Sequence, residues 1–200
     1  AAKAVDGLGA ARAAVRLTWT AGSGGRGLAR PQSLEPRLIV SAAASPRPAT
    51  PATAIVCGVR RNAGSPASRL KTLSYLDNVL ARREALARGA DEALMLDGQG
   101  RLACASAANL FWIAGERLFT PALSCGVLDG VIRAEVMAAA ARRGVAVEEV
   151  EAPASALDGA QALFLTSSLI GVRRVARLDG TDRGGHPLLE ALGGDLAELS

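Results

Sequence analysis

A mixed α/β fold built on a mixed sheet is predicted by three observations. Runs of β-branched and aliphatic residues recur along the whole chain, and three segments with helical spacing or helix stop signals interrupt them. Half of the 200 residues are apolar, enough to bury a sizeable core. Many strands with few helices between them set the class as α/β grading into α+β, not a helix bundle.

The elements follow in order. Residues 15–20 alternate and carry β-formers, the glycine-rich stretch 22–27 admits no regular structure, and residues 37–41 make a second strand. A proline- and alanine-rich connector over 45–51 leads to a third strand at 54–59. From Thr72 the period changes: Leu73, Leu76, Val79, Leu80 and Leu86 fall near helical spacing, and Gly89 supplies the stop. Lys71 thus stands at a loop-to-helix junction. Residues 92–96 and 101–104 form a hairpin across the turn at 97–100, and 109–113 with 117–120 form another across 114–116. A helix opens at Gly130 and ends before Gly144. Strands at 145–150, 162–166 and 170–178 precede a terminal helix over 188–199.

Composition removes several function classes. The net charge is +4, but the arginines are scattered and only three Phe, two Trp and one Tyr accompany them, so no nucleic-acid partner is expected. No uninterrupted apolar stretch reaches membrane-spanning length, so no membrane partner is expected either. Residues 1–16 are rich in Ala and Arg, yet Asp6 and two glycines argue against a targeting helix. Cys57, Cys104 and Cys125 show no paired spacing, and His186 is the only histidine. A metal site or disulfide framework is therefore not expected, and a reducing cytoplasm fits best.

Lys71 is one of two lysines in a chain that otherwise takes its positive charge from arginine, and it lies in the setting Arg69-Leu70-Lys71-Thr72-Leu73. Arginine stays protonated, whereas a lysine taken out of water loses its proton and can attack a carbonyl. Lys71 is therefore the candidate catalytic amine. The glycines at 22–27 lack the ending of a phosphate loop. A better anion site lies at Leu128-Asp129-Gly130-Val131-Ile132-Arg133, where Gly130 permits close approach and the next helix begins with free amides. Thr166-Ser167-Ser168, just past a buried strand, offers hydroxyls for the same anion.

The run Asn109-Leu110-Phe111, then Leu118-Phe119-Thr120, then residues 128–133 resembles the signature of the class IV pyridoxal-phosphate enzymes. These are the branched-chain and D-amino-acid aminotransferases and 4-amino-4-deoxychorismate lyase. The resemblance extends to residues 70–80 and 165–172 and covers nearly the whole chain. It implies the C-terminal cofactor-binding domain of the D-amino-acid aminotransferase-like fold, a mixed-sheet pseudo-barrel with flanking helices. Residues 1–20 would be an interdomain connection and first strand, residues 21–200 the cofactor domain, and the family's N-terminal domain would be largely absent. The cofactor implied is pyridoxal 5'-phosphate, with Lys71 as the Schiff-base lysine that also moves the Cα proton.

The resemblance likewise implies that Val131 and Ile132 amides, Gly130, Ser167 and Ser168 hold the cofactor phosphate. Leu128 would pack on the ring, and Tyr75 and Ala107 would touch the cofactor. Cys104 stands where the family has a glutamate on the ring nitrogen, and a thiol hydrogen-bonds weakly, so the ring should withdraw electrons less strongly. Residues 107–112 and 168–172 look most like the lyase, which releases pyruvate and 4-aminobenzoate. The alternatives are an aminotransferase for branched-chain or D-amino acids and a non-catalytic remnant of the fold. An amino-acid-like substrate and a homodimer complete the expectation.

Overall fold

The computed structural model describes residues 2–24 and 26–197. The chain forms two compact units, Ala1–Arg47 and Pro48–Ser200, whereas the sequence reading divides it at residue 20. In the first unit a short helix α1 (Ala2–Val5) precedes strands β1 (Ala13–Thr20) and β2 (Arg37–Ala44), which pair antiparallel. The glycine-rich stretch is their connection, and among the described residues no helix follows it. The two-residue period of the pair puts Val15, Leu17 and Trp19 opposite Ala42, Val40 and Leu38 on one face. Four of these, Val15, Leu17, Trp19 and Leu38, are exposed.

The second unit contains β3 (Ala52–Arg61), α2 (Leu76–Ala87), β4 (Glu92–Asp97), β5 (Leu102–Ala105), β6 (Asn109–Ala114), β7 (Arg117–Pro121), α3 (Val131–Arg142), β8 (Ala146–Val150), β9 (Ala162–Ser167), β10 (Gly171–Leu178), β11 (Thr181–Asp182) and α4 (Pro187–Asp195). The strands make one mixed sheet in the order β5-β4-β3-β10-β9-β6-β7-β8, with β11 on β10. The pairs β3·β4, β3·β10 and β7·β8 are parallel and the others antiparallel. The sheet curls until β5 packs on β6. The Leu102 amide donates to Ala152 O at 2.7 Å and Arg101 bridges to Pro153, so the segment after β8 seals the β5 side of a half-barrel.

Strand alternation decides what lies inside. Leu94 and Leu96 on β4 join Leu102, Leu110, Trp112, Leu163 and Leu165 in one buried cluster, while Ala93 and Met95, which alternate with them, pack on the α2 side with Ile55, Cys57, Ala81 and Ala85. Phe111 and Phe164 on the other side of β6 and β9 stack at 5.1 Å and receive α3 and α4 through Ile132, Val136, Leu189 and Leu192. The runs read as strands are thus apolar on both faces because helices cover the outside. His186 caps α4 by accepting from the Leu188 amide, a structural use of the sole histidine. The terminal helix stops at Asp195, and residues 198–199 of its predicted span lie outside the described residues.

Helix α2 departs from expectation in start and face. It begins at Leu76 because Thr72 Oγ1 accepts the Ser74 amide and Leu73 O accepts the Tyr75 amide, local bonds that compete with a helical turn. Lys71 therefore sits in the loop ahead of the helix. The face turned to the sheet carries Asn78, Ala81 and Ala85, since Met95 and Cys57 leave space only for small residues. Leu73, Leu76, Val79, Leu80 and Leu86 are exposed.

Candidate active site

A cavity of about 440 Å³ opens where the β5–β6 turn, the β9–β10 turn, the start of α3 and the loop before α2 meet. Lys71, Tyr75, Cys104, Ala107, Leu128, Gly130, Val131, Ile132, Ser167 and Ser168, ten residues spread over nearly a hundred positions of sequence, all line it. Arg61, Asn78, Ser106, Asn109 and Thr166 line it as well. Sequence alone assigns no role to Arg61, Asn78 or Ser106, whereas it offers the Thr166 hydroxyl for the anion and Asn109 only as part of a motif.

Lys71 is exposed rather than withdrawn from water, which corrects the expectation from its apolar neighbours: Leu70 and Leu73 point to solvent too. Its Nζ donates to the Tyr75 hydroxyl at 2.7 Å and lies 4.2 Å from the centre of the Tyr75 ring. The four-residue spacing across the start of α2 makes this contact, which holds the amine beside both a proton acceptor and an aromatic face.

The start of α3 presents amides outside the helical ladder. The first internal hydrogen bond of the helix is Ala134 N–H to Gly130 O, so the amides of Val131, Ile132 and Arg133 lie ahead of the ladder. No side chain caps this end. Thr166 Oγ1 is buried without a partner in the same cavity. An orphan hydroxyl together with uncapped amides fits a phosphate group, which accepts from both. Asn109 fixes the loop by donating through Nδ2 to Leu128 O at 2.9 Å, and its Oδ1 lies 2.2 Å from where a Cβ of residue 130 would stand. Only glycine fits there. The Asp129 carboxylate turns out toward Arg133 at 3.6 Å and is mostly solvated.

The remaining wall is a buried polar network. The guanidinium of Arg61 donates from Nε to Gly126 O at 2.9 Å, from Nη1 to Asn78 Oδ1 at 3.0 Å, and from Nη2 to Ser68 O. Asn78 Nδ2 in turn donates to Ser106 O at 2.8 Å. The Ser106 hydroxyl and amide donate to Glu92 Oε1, and Glu92 Oε2 pairs with Arg82 at 3.0 Å. Cys104 is buried in this wall. Burial pushes its thiol up to about 11 against the opposing pull of Arg61, so it is neutral at ordinary pH.

A sequence model of the family described as Amino-transferase class IV matches residues 1–178. An aminodeoxychorismate lyase of Bacillus subtilis (strain 168) is 30% identical over 129 residues, 64% of this chain and 44% of that relative. The chain thus spans less than half of that curated relative's length. Among solved structures, a protein of Legionella pneumophila provisionally assigned as a 4-amino-4-deoxychorismate lyase superposes with a TM-score of 0.87 and 31% identity, covering 93% of this chain and 69% of its own. A T.th. branched-chain amino acid aminotransferase complexed with N-(5'-phosphopyridoxyl)-L-glutamate gives 0.84 and 26%, covering 93% and 63%. By motif order, cavity and fold together, the chain belongs to the class IV amino-transferase family, whose cofactor is pyridoxal phosphate.

Proposed function

We propose that the protein is a 4-amino-4-deoxychorismate lyase. The observation that carries the reading is that the Lys71 amine and an anion cradle of uncapped amides and an orphan hydroxyl share one cavity. The lyase is preferred to the aminotransferases because residues 107–112 and 168–172 resemble it, and the Bacillus subtilis and Legionella pneumophila proteins support the choice.

When bound, pyridoxal phosphate supplies a carbonyl that condenses with amines and a ring that draws electrons from the carbon bearing the substrate nitrogen. The chain's residues do the rest. Val131 and Ile132 amides, with Ser167, Ser168 and Thr166, bind the phosphate; Leu128 and Ala107 flank the ring; Gly130 lets the backbone approach; Tyr75 orients the Lys71 amine. Lys71 Nζ then takes the proton from the substrate carbon that carries the amine. The bond from the neighbouring carbon to the ether oxygen breaks, and its electron pair leaves on enolpyruvate, which takes up a proton and departs as pyruvate. The remaining ring becomes aromatic 4-aminobenzoate and keeps its amine.

The test pairs a spectrum with two assays. Purified protein is expected to show a visible absorption band with the cofactor that disappears in Lys71→Ala, and to release pyruvate from aminodeoxychorismate without amino transfer to 2-oxoglutarate. Amino transfer with no pyruvate would instead assign an aminotransferase for branched-chain or D-amino acids. Failure to take up the cofactor would leave the non-catalytic reading.

A homodimer in a reducing cytoplasm completes the proposal. The three buried, unpaired cysteines support the compartment, and the exposed Leu70, Leu73 and Leu76 beside Lys71 offer apolar area for self-association. Sedimentation equilibrium is expected to give twice the chain mass, and a monomer would remove the dimer.

A further inference from the structure

The cavity wall at Cys104 presents charge in an unusual arrangement. Arg61 is 7% exposed and lines the cavity, and its three hydrogen-bond acceptors, Gly126 O, Asn78 Oδ1 and Ser68 O, are all neutral. Among the described residues no carboxylate forms an ion pair with it. Asp97, its register partner on β4, is taken by Arg101, and Glu92 behind Ser106 is taken by Arg82. A guanidinium cannot shed its proton, so the wall keeps a buried positive charge with no counter-ion. Gly126 is fitted to this placement: a Cβ there would lie 3.3 Å from Arg61 Cγ and 2.8 Å from Ala63 Cα.

The covalent structure of pyridoxal phosphate places its ring nitrogen directly across the ring from the aldehyde carbon, with the phosphate arm beside the aldehyde. With the aldehyde at Lys71 and the phosphate at the start of α3, the nitrogen is left to face the wall of Cys104, Arg61, Asn78 and Ser106. On this reading, which rests on the cofactor site proposed above, we infer that the chain holds the ring nitrogen unprotonated, because a neutral thiol and an uncompensated guanidinium face it, while Asp129, the one carboxylate among the described cavity-lining residues, stands at the α3 end toward Arg133. A nearby cation disfavours formation of a second one, and Ser106 is already committed as a donor to Glu92. The Arg61 charge reaches this spot, since it opposes the burial and the charges of Glu92 and Cys57 that act on the Cys104 thiol.

The consequence concerns the class of reaction. A ring without the proton on its nitrogen is a weaker electron sink, so it favours steps in which the electron pair released at the amine-bearing carbon leaves at once with a neighbouring oxygen. It disfavours steps that must store the pair until another carbon is protonated. Elimination fits this wall better than amino transfer.

The experiment is nitrogen NMR of the full chain loaded with cofactor labelled with ¹⁵N at the ring. The wild-type resonance is expected at the position of an unprotonated pyridine at neutral pH, and Cys104→Glu, which supplies a carboxylate opposite Arg61, is expected to move it far upfield to the pyridinium position. Cys104→Asp is made alongside it as a smaller carboxylate. Substitution of Arg61 itself would orphan three acceptors and is avoided. A pyridinium resonance in the wild type overturns the inference while leaving the cofactor site intact. An unchanged resonance in a cofactor-bound carboxylate variant overturns the assignment of this wall to the ring nitrogen. Absence of any bound resonance overturns the functional reading and this inference together.

Discussion

A Cβ at residue 130 would lie 2.2 Å from Asn109 Oδ1, yet Gly130 itself has ordinary extended backbone angles. Its demand is one of space alone. Gly130→Ala must push the buried Asn109 side chain away and break its bond to Leu128 O, a loss of about 1–3 kcal/mol from overpacking and a broken hydrogen bond. Urea unfolding is expected to report this loss together with weaker cofactor uptake, and Asn109→Ala in the same chain is expected to recover part of it. A silent Gly130→Ala would show that the loop is not so closely held. Residues of this kind divide by how far their partners lie in sequence. Lys71 stands out in the sequence as one of only two lysines, although its exposure is not visible there. Arg61 was not, since its acceptors on Gly126 and Asn78 lie 65 and 17 residues away and nothing local announces them. Thr166 is one of three consecutive hydroxyl residues in sequence, and only burial singles it out as the orphan.

At the scale of elements, α2 and the β4–β5 turn show what periodicity can and cannot convey. The spacing of apolar residues located α2, but the sheet beneath it accepts alanines, so the leucines that revealed the helix face away from the sheet. The turn after β4 is a tighter case. The Asp97 carboxylate accepts the amides of Gln99 and Arg101 at 2.9 Å each and pairs with the Arg101 guanidinium at 2.6 Å. Burial raises its pKa, but these bonds outweigh burial and hold it below the usual carboxylate range. A lowered native value contributes stability that is present above the unfolded value, about 3.9, and is lost as pH falls through the native one. Asp97→Asn is expected to cost about 1–3 kcal/mol near neutrality, as for weakening hydrogen bonds to a charged group while Arg101 keeps Glu151 as a partner. The gap to the wild type should narrow below about pH 4, where the native carboxylate itself takes up a proton. Thermal midpoints measured across that range check it, and a gap of constant size would show that Asp97 acts without its charge.

For the whole molecule, strand existence and order were readable, because the buried runs on β4, β6 and β9 are apolar enough to stand out from the turns between them. Pairing beyond the hairpins was not. Which other strands meet depends on contacts between residues far apart in sequence, and no local pattern encodes the parallel pairing of β3 with β10, 123 positions apart at Ala52 and Val175, or the seal of Leu102 against Ala152. The same is true of the cavity, whose walls come from β3, α2, β5, α3 and β9.

The β3·β10 pairing also sets a schedule. Ala52 and Ala54 wait for Val175 and Leu178, so the second edge of β3 stays open until nearly all of the described chain has been synthesised. Such long-range parallel contacts must absorb a large loop-closure entropy before they return any stability, which makes this sheet slow to close. Until then no early fragment presents an assembled pocket, and uptake of a ligand there becomes a signature of the finished fold.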